Sequence, residues 1–138
     1  MGHKTAAVLL IDDDSTTNYL HKRVVVKTNL CSAPIIATDG QKGLDALLEI
    51  NNSNINFEDY VLIFLDLNMP VMDGWNFLKV LEEIKEQLKF KFLLFVTSSS
   101  INKDDIDRAE KNYLVAKYLK KPMNTELIEN MKLEFSLN

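Results

Sequence analysis

The sequence predicts an α/β fold, a three-layer sandwich in which a five-stranded parallel sheet carries helices on both faces. Three observations predict it. Short unbroken apolar runs stop abruptly at a polar residue, as strands buried on both faces do. Segments with apolar residues at helical spacing separate those runs. The alternation repeats five times, and βα units of this length require parallel strands joined by right-handed crossovers.

The first run, Ala7 to Ile11, ends at Asp12, Asp13 and Asp14. Leu20, Val24 and Val25 mark the apolar face expected for the first helix, which Asp14 is placed to cap. Ile35 to Ala37 is a weaker second strand, and Leu44, Leu47 and Leu48 mark the second helix. Asn51 to Asp59 is a polar, Asn-rich connection, longer than usual and read as a solvated surface loop. Val61 to Leu65 is the third strand and ends at Asp66. After the turn residues Asp73 and Gly74, the residues Phe77, Leu81, Ile84 and Leu88 recur at three- and four-residue steps and predict the clearest helix. Phe92 to Val96 is the fourth strand and ends at Thr97. A fourth helix is expected over Lys103 to Tyr113, capped by Asn102, with Asp105 in its first turn and only Ile106, Ala109 and Tyr113 as an apolar face. So thin a face predicts a mobile or partner-facing helix. Val115 to Leu119, broken by Lys117 and closed by Lys120, Lys121 and Pro122, is the fifth strand, and Leu127, Ile128, Met131 and Phe135 mark the last helix.

Composition narrows the functional class. The chain has 138 residues, 46% hydrophobic and 26% charged, which suits one domain with its core over about residues 6–135. Sixteen Lys and Arg stand against 20 Asp and Glu, a net charge of −4, so the basic field that non-specific nucleic-acid binding needs is lacking. Cys31 is the only cysteine, which rules out an intramolecular disulfide or a cysteine zinc site and fits a small buried side chain in a reducing compartment. No apolar run approaches the roughly 20 residues that span a bilayer, and Met1-Gly2-His3-Lys4 leads into no signal-type segment, so a cytoplasmic location away from membranes is expected. His3 and His21 are far apart, and His21 is expected on the surface of the first helix. Trp75 is expected to flank a helix and partly cover the sheet.

In an open parallel sheet the functional crevice lies beyond the carboxyl ends of the strands. Asp12 and Asp13 leave the first strand there, Asp66 the third and Thr97 the fourth, and Lys121 lies just past the fifth. Three carboxylates at one sheet end repel one another unless positive charge joins them. Mg²⁺ meets that need, since it takes oxygen ligands and is commonly held by one or two carboxylates and a phosphate oxygen; Lys121 supplies the remaining charge. With both in place Asp66 is a nucleophile suited to phosphorus, because Asp forms acyl phosphates. Mg²⁺, Lys121 and the Thr97 hydroxyl are placed to neutralise the phosphoryl oxygens, and no histidine base is needed.

These residues carry a family resemblance. Leu10-Ile11-Asp12-Asp13-Asp14, Asp66-Leu67-Asn68-Met69-Pro70 continuing to Met72-Asp73-Gly74, Val96-Thr97-Ser98 and Tyr118-Leu119-Lys120-Lys121-Pro122 resemble, in order and over nearly the whole chain, the receiver domains of two-component response regulators, of the single-domain chemotaxis type. The resemblance implies a flavodoxin-like strand order, 2-1-3-4-5. It also implies that Asp66 is the phosphoacceptor, that Asp12, Asp13, Asp66 and the Asn68 backbone carbonyl hold Mg²⁺, with Mn²⁺ as a substitute, and that Lys121 and Thr97 contact the phosphoryl group. Thr97 and Tyr118 would form the switch, the tyrosine turning inward as the threonine moves. Such a module is a signalling receiver that catalyses only its own phosphorylation and dephosphorylation. Its donor would be a histidine kinase or histidine phosphotransfer protein, and its downstream protein partner would bind through the fourth helix, fifth strand and fifth helix. A cis Lys121–Pro122 bond is a further expectation of the family. Of the alternatives, a haloacid-dehalogenase-type phosphatase is opposed by Asn68, which stands where those enzymes resemble one another in a second Asp, and a receiver that works without phosphorylation is opposed by the intact acidic set. The chain ends at Asn138, so the response is expected through a bound protein, onward phosphotransfer or a domain outside this chain.

Overall fold

The computed structural model describes residues 2–138, leaving Met1 outside. Five strands, β1 (Thr5–Ile11), β2 (Ile35–Ala37), β3 (Tyr60–Asp66), β4 (Lys91–Ser98) and β5 (Val115–Lys120), alternate with five α-helices. These are α1 (Ser15–Lys27), α2 (Gly40–Asn51), α3 (Gly74–Ile84), α4 (Lys103–Lys111) and α5 (Thr125–Glu134). All pairs in the sheet are parallel and the order is β2-β1-β3-β4-β5. This is the predicted sandwich with its flavodoxin-like order.

Each α-helix starts where an Asp or Asn side chain accepts a hydrogen bond from an otherwise unpaired first-turn N–H: Asp14, Asp39, Asp73, Asn102 and Asn124. Residues alternate between the two faces of the sheet. Leu9, Ile11, Ile63, Leu65, Leu94 and Val96 pack under Leu47 of α2, Phe77 of α3 and Ala109 of α4, whereas Val8, Leu10, Leu62, Phe64 and Phe95 pack under Val25 of α1 and Ile128 and Met131 of α5. Strands covered on both sides explain why the apolar runs are continuous.

The register sets the site. Ile11 pairs with Leu65, so the residues that follow, Asp12 and Asp66, lie on neighbouring strand ends. Asp66 in turn pairs with Thr97, and Thr97 with Leu119. α3 begins directly against this end: a Cβ on Gly74 would lie 2.6 Å from the Asp66 carbonyl oxygen and 2.7 Å from Leu67 Cα, so only glycine admits the approach.

Several expectations need correction. Of the residues expected on the inner face of α1, Val25 is buried and Val24 packs against the core, but Leu20 is 46% exposed; Asn18, His21 and the C-cap Thr28 turn inward instead. His21, expected on the surface, is 3% exposed. Leu48 faces solvent, and α2 packs through Leu44, Leu47 and Ile50 instead. The third helix stops at Ile84 and passes into a 3₁₀ turn, Lys85–Gln87, so Leu88 lies beyond it. α4 stops at Lys111, leaving Tyr113 outside and 65% exposed. Cys31 is only partly buried. The Asn51 to Asp59 connection is more than a solvated loop: Asn51 donates to the Gln87 carbonyl and accepts from the Lys89 N–H, while Ile55 and Phe57 pack against the core. Among the described residues, no helix is long and apolar enough to cross a membrane.

Candidate functional site

Asp12 leaves β1 with its backbone clamped on both sides: its N–H donates to the Ala37 carbonyl at 3.1 Å, and its own carbonyl accepts from Asn18 Nδ2 at 2.7 Å. Its Oδ1 accepts from the Asp14 N–H at 3.0 Å, leaving Oδ2 to face Lys121. Lys121 Nζ lies 2.8 Å from Asp12 Oδ2 and 3.3 Å from Asp66 Oδ1, so one ammonium bridges the ends of β1 and β3. Asp12 and Asp66 are each 3% exposed. Asp13 is exposed, yet it offers a carboxylate oxygen within 4.8 Å of oxygens from Asp12 and Asp66.

The electrostatics follow from this crowding. Burial first, and the Asp12 charge second, push the Asp66 carboxyl up to about 6 from its ordinary 3.8, against the opposing pull of Lys121 and the Asn68 N–H. Lys121 is held above its ordinary value: burial, the largest single influence, draws it down, but the hydrogen bond to Asp12 and the charges of Asp66 and Asp12 together outweigh it. Two buried carboxylates therefore share one ammonium beside a third, exposed carboxylate, a set that remains negative. A hard divalent cation fits that donor set, which is all oxygen and includes one exposed carboxylate facing two buried ones.

Thr97 is 2% exposed on the strand beside Asp66. Tyr118 on β5 is half-buried, and its hydroxyl donates to the Ser100 carbonyl at 3.1 Å, tying β5 to the loop that leads into α4. Asn68 is exposed in the turn after β3. The Lys121–Pro122 bond is cis. Asp14 caps α1, accepting from the Thr16 N–H at 3.0 Å and the Thr17 hydroxyl at 2.9 Å, and these bonds hold its carboxyl below the usual range. Trp75, expected beside the helix, is the second residue of α3 itself and packs against the core, with the Arg108 guanidinium 3.9 Å from its ring centroid.

Sequence reasoning brought together the residues at the strand ends and missed two behind them. Asn18 and His21 line the buried face of α1, and His21 Nε2 accepts from the Met123 N–H at 3.1 Å. A signal was present: Asn18, His21, Val25 and Thr28 recur at helical spacing, as a core-facing stripe does.

With this geometry in view, the likenesses to known proteins agree. The model of the response regulator receiver domain matches residues 8–132. A two-component response regulator from Cytophaga hutchinsonii superposes with a TM-score of 0.80 at 25% identity, covering 98% of each chain. One from Legionella pneumophila gives 0.72 at 25% identity, covering 94% of this chain and 97% of its own. A response regulator receiver protein from Dyadobacter fermentans gives 0.77 at 20% identity, covering 98% and 99%, and supports the fold alone. No curated protein matches the chain.

Proposed function

We propose, from the premise that this chain belongs to the response regulator receiver domain family, that it accepts a phosphoryl group on Asp66 and thereby alters the surface it offers to partner proteins. The observation that carries the reading is the convergence of Asp66, Asp12 and Lys121 at one sheet end, with Lys121 Nζ 3.3 Å from the Asp66 carboxylate.

An Asp66 carboxylate oxygen attacks the phosphorus of a phosphohistidine on a histidine kinase or histidine phosphotransfer protein. The P–N bond breaks, its electron pair leaves on the imidazole, and an acyl phosphate forms. Lys121 orients the carboxylate before transfer and meets a phosphoryl oxygen after it. Thr97, on the neighbouring strand, offers its hydroxyl to another. Asp12, Asp13, Asp66 and the Asn68 backbone carbonyl would hold Mg²⁺, or Mn²⁺ in its place. When bound, the cation supplies the charge that lets anionic phosphate approach carboxylates.

Transfer replaces one carboxylate by a group carrying about 1.5 to 2 negative charges and three strong acceptor oxygens. Thr97 is drawn toward it, and Tyr118, whose hydroxyl rests on the Ser100 carbonyl, exchanges that bond for the space Thr97 leaves. α4, β5 and α5 are then the surface that reports the change to a protein partner. The chain acts as one receiver module in the cytoplasm, catalysing only its own phosphorylation and dephosphorylation, without direct contact to nucleic acid.

The test is direct. Incubated with Mg²⁺ and acetyl phosphate, the protein should gain the mass of one acid-stable, base-labile phosphoryl group, and Asp66→Asn should gain none. Absence of the adduct in the wild type, or its persistence in Asp66→Asn, overturns the reading.

A further inference from the structure

α1 buries polar side chains where a sheet-covering helix ordinarily buries apolar ones: Asn18 is 2% exposed and His21 3%. Neither is repaid as an ordinary core residue. Asn18 donates Nδ2 to the Asp12 carbonyl, but its Oδ1 is buried with no partner among the described residues, which is a cost. His21, one turn further on, receives the Met123 N–H, two residues past Lys121. A bond accepted at Nε2 requires the neutral ring with its proton on Nδ1. Burial lowers the imidazole pKa below its ordinary 6.5, with Asp12 opposing and Lys121 assisting, which keeps the ring neutral near pH 7.

The two partners of these bonds are the two ends of one ion pair. Asp12 and Lys121 lie 109 residues apart in sequence and meet at 2.8 Å. Asn18 fixes the backbone of the first, and His21 fixes the turn that follows the second. We infer that Asn18 and His21 are positioning residues, bracketing the Asp12–Lys121 pair from successive turns of α1 and so setting where Lys121 stands against the Asp66 carboxylate. The inference rests on the phosphoacceptor reading for its functional consequence, though not for its geometry.

The roles differ in a way that loss of packing alone does not reproduce. Asn18 acts on Asp12, a proposed cation ligand; His21 acts on the loop of Lys121, which is not one. In the full chain, His21→Leu should slow adduct formation at saturating acetyl phosphate about ten- to a hundredfold, with half-saturation and Mg²⁺ affinity within about twofold of wild type. His21→Gln, whose Oε1 can accept the Met123 N–H, should recover most of the rate. Asn18→Leu should instead weaken Mg²⁺ binding, read by calorimetry, about ten- to a hundredfold while the protein keeps its thermal midpoint. Without metal or phosphodonor, the Lys121 ammonium protons, observed by NMR at low temperature and identified by their absence in Lys121→Met, should exchange faster in His21→Leu and regain protection in His21→Gln. If His21→Leu does not fold, His21→Met, unbranched and of similar bulk, takes its place. Wild-type rate and proton exchange in the apolar variant, no recovery in His21→Gln, or a parallel fall of rate, Mg²⁺ affinity and thermal midpoint in both α1 variants would each overturn the inference. A wild type that forms no adduct defeats the phosphoacceptor reading instead, and the ammonium exchange still decides the bracket.

Discussion

The two flanks of the crevice are built differently. On the β1–β3 flank, with α1 behind it, Asp12, Asn18, His21 and Asp66 are all at least nine-tenths buried; Asn18 is bonded to Asp12, and Asp12, Asp66 and His21 are tied to residues beyond β5. On the β4–α4 flank, α4 buries only Ala109, and exposed contacts hold it: Arg108 lies over Trp75, and Lys85 Nζ donates to the Tyr113 hydroxyl at 2.7 Å while sitting 4.4 Å from the same ring. Tyr118 joins this flank through one bond to the Ser100 carbonyl, and Ile101 beside it is 85% exposed. The proposed chemistry therefore centres on deeply buried, tied carboxylates, and the expected signalling surface on the compliant flank. Buried polar bonds are costly to leave half-made, whereas an exposed cation–π contact is worth about 0.5 to 1 kcal/mol and can be exchanged.

That contrast can be broken most forcefully on the buried flank. Lys121→Met should cut adduct formation from acetyl phosphate about a hundred- to a thousandfold, followed by intact-protein mass over time, because it removes the ammonium that bridges the carboxylates of Asp12 and Asp66. Next, Asp13→Ala should weaken Mg²⁺ binding about ten- to a hundredfold in calorimetry while leaving thermal unfolding unchanged, since Asp13 is exposed and contributes charge without packing.

A smaller effect concerns pH. Because the folded value of Asp66, about 6, lies above its ordinary 3.8, the native state binds the proton more tightly than the unfolded chain does. Stability falls as pH rises from about 4 to 6, and the penalty is complete above that window. Asp66→Asn should therefore stabilise the metal-free protein by about 1 to 3 kcal/mol at pH 7.5 and by little at pH 4, in urea unfolding at both pH values. Equal stability of the two proteins at pH 7.5 would mean that Lys121 fully offsets burial and the Asp12 charge.

The smallest effect belongs to the compliant flank. Arg108→Ala should cost at most about 1 kcal/mol and leave adduct formation unchanged, yet raise hydrogen exchange in α4 relative to α1. Equal exchange in the two helices of the unmodified protein would erase the distinction between the flanks.

What could be read in the sequence follows the same division. The strand ends were legible because a buried parallel strand reads as a continuous apolar run and its first polar residue marks the crevice; Asp66, Asp12 and Thr97 were found that way, and Lys121 by its place immediately before Pro122. The thin face of α4 was legible too, since Ile106 and Ala109 are all it has to bury. The inner face of α1 was legible only as a spacing, because Asn18 and His21 on it are polar. Leu20 was the apolar residue nearest the expected stripe, but the helix is turned so that Asn18 and His21 face inward, and their reason for doing so lies in Asp12 and in Met123, the latter 102 residues away. The end of α3 at Ile84 escaped notice because Leu88 keeps the helical period even though a 3₁₀ turn intervenes.

The Asp12–Lys121 pair also has a consequence for how the molecule comes into being. Contacts between residues this distant close late, because the intervening chain must first surrender its freedom. During synthesis Asp12, Asp13 and Asp66 leave the ribosome well before Lys121, so the unfinished chain carries its acids without their ammonium. The proposed phosphoacceptor site would thus be complete only when the fifth strand docks, and a nascent or partly unfolded copy would be a much poorer acceptor than the finished molecule.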